Sequence, residues 1–369
     1  MARSPIRHPG LLSGLALVFL CLFPPLVPAA DSHHPGRQHH AHRHHRPHPV
    51  FWGAWIGDQL TGRAAPWDMN ALSRFEEIVG KGASLLEFSS PFAECDSSPC
   101  SFFQFPGEAM ESVRRHGSIP FFSWGSESSP RDSPTQPDFQ LSDVIEGRYD
   151  TYIREFATAA KAWGHPFFLR FDWEMNGNWF PWSEPVNGNS PGQFVAAWRH
   201  VHDLFAAVGA TNVTWVWCPF ADPNGSFQDL RQIYPGSAYV DWTCMDAYNW
   251  GTNAVNPQPW RSFVRLLGPT YEQLTKKVAP HKPIMLAEFG SSSSGGHKAL
   301  WIRNMFAKLP REFPRVRGLI WFDTLDRGID WPLETSTTAT REFAKGIGKW
   351  FYLANTFSEL TTSPITPLR

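Results

Sequence analysis

The amino-acid sequence predicts an α/β protein built as a single (β/α)8 TIM barrel. Two observations carry that expectation. Between Val50 and Phe351, apolar runs of strand length alternate eight times with stretches whose apolar residues recur at helical spacing. No linker-like composition interrupts the alternation, and 369 residues leave ample room for the ~250 that such a barrel typically needs. The expected organisation is a signal peptide over 1–30, a linker over 31–49, the barrel over 50–352 and a loose tail over 353–369.

The N-terminal segment is read apart from the fold. Arg3 and Arg7 precede an apolar run from Leu11 to Val27 that ends in Pro28-Ala29-Ala30. This is the pattern of a secretory signal peptide cleaved near Ala30, so the expected location is extracellular. Asp31 to Pro49 is crowded with His33, His34, His39, His40, His42, His44, His45 and His48. It has no apolar periodicity and implies no fixed ligand geometry. It is expected to be a disordered spacer rather than a metal site.

Eight units follow. Strands are expected at Val50–Gly57, Ser84–Ser90, Ile119–Ser126, from Phe167, at Val213–Pro219, Val240–Asn249, Ile284–Phe289 and Gly318–Thr324. Helices are expected at Asp68–Val79, Glu108–His116, Asp143–Trp163, Pro191–Val208, Trp260–Val278, Lys298–Leu309 and Thr338–Phe351, with a short helical piece near Phe227–Ile233. In Asp143–Trp163, for instance, Tyr149, Tyr152, Phe156, Ala160 and Trp163 make one apolar stripe. The Ser/Pro-rich stretch Glu127–Phe139 has no periodicity, and long loops in compact domains are usually functional. The Ser/Thr/Pro-rich end is expected to be loose.

Composition excludes several functions. A formal net charge of −1 argues against a nucleic-acid partner and against a polybasic membrane contact. After signal removal no segment is long and apolar enough to span a bilayer. Beyond Cys21 in the signal segment, four cysteines remain. Cys95 and Cys100 flank a turn-rich loop suited to a local bridge. Cys218 and Cys244 fall on neighbouring expected strands, as a bridge or as buried thiols. None has zinc-site spacing, and neither a metal nor an organic cofactor is expected.

The chemistry concentrates at strand ends, where barrels keep their active sites. The fourth strand runs Phe167-Phe168-Leu169-Arg170-Phe171-Asp172-Trp173-Glu174. Alternation places Arg170, Asp172 and Glu174 on one face, with Arg170 and Asp172 read as a buried pair supporting Glu174. The seventh strand ends likewise in a lone acid, Glu288, followed by Phe289-Gly290. Two carboxyl groups across a barrel mouth can cleave a glycosidic bond, one as acid and one as nucleophile. Tyr248, ending the sixth strand, can orient one of them. Trp179, Trp182, Trp250 and Trp321, with Asn176 of the Asn176-Gly177 turn, are the candidate sugar-binding residues. Trp217 is a further strand-end tryptophan. Glu87, Glu127, Asp246 and Asp323 are competing strand-end acids. The expected partner is a polysaccharide, bound by a monomer.

These residues carry a resemblance. Arg170 to Trp182, centred on Glu174-Met-Asn-Gly-Asn-Trp-Phe-Pro-Trp182, resembles the acid/base segment of glycoside hydrolase family 26. Tyr234-Pro-Gly through Val240-Asp241-Trp242, then Met245 to Gly251, is similar to that family's sixth strand. Lys282-Pro-Ile-Met-Leu-Ala-Glu288-Phe-Gly is similar to its nucleophile strand. Gly53–Gln59 and Trp321-Phe322-Asp323 also fit. The resemblance implies a retaining endo-β-glycanase with Glu174 as acid/base, Glu288 as nucleophile and Tyr248 as its orienting partner. It points first to β-1,4-mannan. Family mannanases carry a His directly before the acid/base, however, and here Trp173 stands there. β-1,3-1,4-Glucan and β-1,3-xylan are therefore alternatives, as is a non-catalytic glycan-binding barrel, although binding alone does not require two glutamates.

Overall fold

A computed structural model of the protein describes residues 47–96, 99–222, 224 and 229–369. The expected signal peptide and the His-rich stretch up to residue 46 lie outside the described residues, as does the start of the short helix expected from Phe227. Residues 230–232 form a turn.

Eight parallel strands close into a barrel. They are β1 (Phe51–Ile56), β2 (Leu85–Glu94), β4 (Ile119–Ser129), β5 (Phe167–Phe171), β6 (Val213–Trp217), β7 (Trp242–Asn249), β8 (Ile284–Ser291) and β9 (Val316–Asp323). Each pairs with its sequence neighbour, and β1 pairs with both β2 and β9 to complete the ring. The short β3 (Ser101–Phe102) lies antiparallel on β2, and the Cys95–Cys100 disulfide closes the loop between them. Every residue of β5, β6 and β8 is buried. That explains why these strands read as apolar runs rather than as alternating ones.

Helices cover the outside: α1 (Met69–Val79), α2 (Gly107–His116), α3 (Leu141–Ile145), α4 (Asp150–Trp163), α5 (Gln193–Val208), α6 (Phe263–Gln273), α7 (Lys298–Glu312) and α8 (Thr337–Ile347). Their starts follow local chemistry. Asp68, Ser262 and Ser336 each accept a backbone N–H of the first turn, which satisfies a donor with no partner inside the helix. The single helix expected over Asp143–Trp163 is instead two, α3 and α4. Gly147, at φ 84°, turns the chain between them.

Two further differences bear on the site. Strand β5 ends at Phe171, and Asp172 and Glu174 both take left-handed backbone conformations, at φ 43° and 53°. The alternation that grouped Arg170, Asp172 and Glu174 on one face therefore stops at Phe171. Beyond the barrel rim, β2 and β4 continue together. The last β4–β5 pair is Trp124 with Phe171, whereas β4 stays paired with β2 out to Glu94 and Ser129. One side of the barrel mouth is thus a raised wall.

The C-terminal tail is not loose. Ile365 is buried; its N–H donates to Thr214 Oγ1 (2.8 Å) and its carbonyl accepts the Trp242 indole N–H (2.7 Å). Phe357 donates its N–H to the Gly117 carbonyl and packs on Phe51. Thr214, Phe51, Phe168 and Trp242 all lie at strand beginnings, so the tail covers the end of the barrel opposite the cleft. Its Ser/Thr/Pro composition hid this, because three or four well-placed apolar groups suffice to cap an apolar floor. Ile365→Ala is expected to cost about 2–4 kcal/mol. A chemical-denaturation midpoint unchanged from the parent would show that the cap contributes nothing.

Candidate active site

The site is organised around a charge that is sealed from water. Arg170 is fully buried inside the barrel. Its Nε donates to Ser123 Oγ (2.7 Å), and its Nη1 pairs with Asp246 Oδ2 (2.7 Å). Its Nη2 meets Glu87 Oε1 (2.6 Å) and also Glu288 Oε1. Ser123 Oγ in turn donates to Glu87 Oε1 (2.8 Å). Burial works against the guanidinium charge, but the facing carboxylates outweigh it, and the group stays protonated above its ordinary range. Burial also pushes Glu87 and Asp246 well above the usual carboxylate range, partly offset by Arg170.

Glu288 sits in β8 at the edge of this cluster. Arg170 donates to one carboxyl oxygen, and the Tyr248 hydroxyl donates to the other (2.5 Å). The backbone N–H of Glu288 donates to Asp246 Oδ1 (2.8 Å). Donors on both oxygens suit a carboxylate. Tyr248 keeps its proton: burial and then the charge of Glu288 raise it well above the ordinary phenol range.

Glu174 is placed by the turn after β5. Its N–H donates to the Cys218 carbonyl (2.7 Å), which ties it to the end of β6, where the Cys218–Cys244 disulfide joins β6 to β7. Its Oε2 accepts the Trp179 indole N–H (2.5 Å). Burial, and next the like charge of Glu288, push its pKa up to about 8, against the hydrogen bond from Trp179 and the cations of Arg170 and Arg131. The two glutamates thus share one cleft in opposite settings, one held by donors and one pushed toward its acid form.

That cleft has a volume of about 940 Å³, within the range of ligand-binding clefts. Glu174, Glu288 and Tyr248 line it, with Trp55, Trp173, Trp179, Trp250 and Trp331 as aromatic walls. The Trp173 ring also lies 5.0 Å from the Arg170 guanidinium, so it roofs the charged cluster. Lys298 of α7 is almost completely buried and donates to the carbonyls of Asp330, Trp331 and Pro332. Burial lowers its pKa to about 8, against the nearby acids. It fixes the loop that brings Trp331 against Tyr248 and Trp250.

Of the expected sugar-binding residues, Trp179 and Trp250 line the cleft and three others do not. Trp182 is fully buried, with its indole N–H on the Trp173 carbonyl (2.6 Å) and its ring stacked on Phe180. Trp321 is also fully buried, packed on Phe289, Trp301 and Phe343. Its neighbour Phe322 lines the cleft instead, because adjacent strand residues face opposite ways. Asn176 exchanges two 2.8 Å hydrogen bonds with the Phe220 backbone and so clips two loops together. Asp172 does not pair with Arg170. Its carboxylate accepts the Ser126 N–H and hydroxyl, both at 2.7 Å, because its left-handed backbone turns it toward the end of β4. Trp217 is core. Trp55, Trp331, Phe322 and the Glu127–Arg131 pair were not singled out as sugar contacts. The strand-end rule that marked Trp250 reaches Trp55 as well, whereas Trp331 lies on a loop eight residues past the end of β9 and no such rule marks it.

The group formed by Cys218, Cys244 and Asp246 is compact enough for a metal, but both sulfurs are in a disulfide and Asp246 holds Arg170.

Residues 140–287 match the model of glycosyl hydrolase family 26. Endoglucanase H of Acetivibrio thermocellus is 32% identical over 301 residues, which is 80% of this chain and 30% of that protein. The chain belongs to glycosyl hydrolase family 26. A mannan endo-1,4-beta-mannosidase of Bacillus subtilis strain 168 is 24% identical over 240 residues, 62% of this chain and 59% of that one. The chain therefore spans less than two thirds of either relative. Among solved family 26 structures, a Bacillus subtilis mannanase shares the fold at a TM-score of 0.59 and 17% identity, over 88% of this chain and 91% of that one.

Arg170→Met is expected to leave several buried acids without their common cation and to destabilise the protein by about 3–5 kcal/mol. Chemical denaturation followed by circular dichroism reads this. A stability equal to the parent's would mean that the acids are held some other way.

Proposed function

We propose that the protein is a secreted endo-β-glycanase that hydrolyses a β-linked polysaccharide by double displacement, with a β-glucan as the favoured substrate. It acts as a monomer and its own side chains supply the chemistry. The observation that carries this reading is the pairing of Glu288, with donors on both oxygens, and Glu174, raised to about 8, in one aromatic cleft.

In the first step a Glu288 oxygen attacks the anomeric carbon while the bond to the leaving oxygen breaks. Glu174 gives its proton to that oxygen. Arg170 and Tyr248 keep the nucleophile aimed. The resulting ester carries no charge on Glu288. The like-charge repulsion that added to burial in raising Glu174 is then gone, and its pKa falls. Glu174, now ionised, takes a proton from water as the water oxygen attacks the same carbon. The sugar leaves with retained configuration and Glu288 leaves as a carboxylate.

The β-glucan preference rests on two points. Trp173 occupies the place where the resembling mannanases carry His, and the relative that is 32% identical over 80% of this chain is named an endoglucanase. A second reading, β-1,4-mannan, is favoured by the mannosidase relative. Release of reducing ends from mixed-linkage β-glucan, β-1,4-mannan and β-1,3-xylan separates these, and no release from any of them would leave only a glycan-binding barrel.

Glu288→Ala is expected to lower hydrolysis by about 10⁴-fold or more. Added azide should then give a glycosyl azide of inverted configuration. Glu174→Ala should lower polymer cleavage by about 10²–10⁴-fold. It should spare the first step on an aryl glycoside with a good leaving group, and azide should give a product of retained configuration. Exchanged outcomes would reverse the two roles, and parental activity in both variants would remove them from the chemistry.

The pH profile supplies a further check. Glu174 must be protonated for the first step and its pKa is raised, so kcat/KM should hold up to about pH 8 and fall above it. A fall beginning near pH 5 would contradict the assignment of Glu174 as the acid.

A further inference from the structure

One ion pair in the cleft takes no step in the chemistry above, although Arg131 is among the cations facing Glu174. Glu127 stands on β4 beyond the last β4–β5 pair, on the raised wall of the barrel mouth. It is buried and lines the cleft; Arg131, half-exposed, lines it too, and its Nη1 meets both Glu127 oxygens at 3.2 and 3.1 Å. Among the described residues, neither side chain hydrogen-bonds to Glu174 or Glu288.

The pair stands on a rigid base. The Arg131 guanidinium lies over the Phe180 ring at 4.3 Å. Phe180 stacks on Trp182 at 4.4 Å and 8°. Trp182 in turn presses on Gly125, where a Cβ would come within 2.8 Å of its ring. Trp173 packs edge-on against Phe180 and faces the same cleft. The loop that carries Arg131 is pinned as well. The Gln136 side chain accepts the Ser128 N–H and donates to the Ser128 carbonyl, both at 2.9 Å, and the Gln136 N–H donates to Asn187 Oδ1 (2.8 Å).

A carboxylate and a guanidinium side by side offer acceptors and donors to two neighbouring hydroxyls at once. The adjoining Trp173 ring offers an apolar surface. Adjacent ring hydroxyls above an apolar ring face are what a pyranose unit presents. A preorganised pair loses little side-chain entropy on binding. Resting on the glycanase reading, we infer that Glu127 and Arg131 form a sugar subsite beside the scissile bond, a clamp for two adjacent hydroxyls of one pyranose unit. Arg131 also acts on the chemistry at a distance. Its cation is one of the charges facing Glu174, with those of Arg170 and Glu288.

The test uses the full chain carrying Glu288→Gln, titrated calorimetrically with a mixed-linkage β-glucan tetrasaccharide. Adding Glu127→Gln or Arg131→Met should weaken binding about tenfold or more. Arg131→Lys should weaken it as well, because one ammonium does not reproduce the guanidinium fork. In the enzyme with Glu288 intact, Arg131→Met should move the alkaline limb of kcat/KM upward, whereas Arg131→Lys, which keeps the charge, should leave it in place. A merely structural role would lower melting temperature without moving that limb. Affinities within twofold of the Glu288→Gln protein, or no binding by that protein, overturn the subsite. Hydrolysis by the unaltered enzyme tests the glycanase reading separately, since it can persist while the clamp fails.

Discussion

Arg170 places a single guanidinium where no water reaches it, and the acids of the site take their positions from it. It arises on β5 and touches groups from β2, β4, β7 and β8. A lone buried cation would be prohibitively costly, and so would the buried acids that surround it. Together they satisfy one another, and the barrel acquires a fixed arrangement of charge on four strands, joined through Ser123 to a fifth. Replacing such a network with well-packed apolar groups is often neutral or stabilising, so net stability is not what it chiefly supplies. Here the geometry is what matters, because Glu288 is aimed by contacts to Arg170, Tyr248 and Asp246 at once.

The same network explains how two identical side chains differ. Glu288 lies against the cation and a phenol. Glu174 lies one step farther out, where an indole N–H is its hydrogen-bond donor and burial dominates. Its left-handed backbone, following that of Asp172, sets the turn between the end of β5 at Phe171 and the aromatic loop. That brings Trp173 and Trp179 into the cleft on either side of the acid while Trp182 goes into the core.

Much of this was readable from the residues. Apolar runs of strand length located the barrel strands because both faces of a parallel sheet are covered, and the strand-end rule brought Glu174, Glu288 and Tyr248 to one place. The partners of Arg170 were not readable, since they lie 76 and 118 positions away for Asp246 and Glu288 and no local pattern links them. The pairing of Asp172 failed for a different reason: one residue in a left-handed conformation ends the two-residue period on which the expectation rested. Trp321 and Phe322 differ by one position, and parity decides which of them meets the cleft. Composition cannot supply parity. The tail was misread because its few apolar residues are spaced to match a surface made elsewhere in the chain.

That tail also sets an order of events. The Trp242 indole finds its acceptor, the Ile365 carbonyl, 123 residues later, and the Thr214 hydroxyl waits 151 residues for the Ile365 N–H. On a ribosome all eight strands emerge before the segment that closes the barrel floor. A nascent barrel can pair its strands, and even assemble Arg170 with its acids, while its lower end is still open to water. Long-range closure of this kind comes late because the loop entropy must be overcome first. The chain is therefore built with the cleft end of its barrel finished ahead of its base, and the segment around Ile365 acts as the stopper.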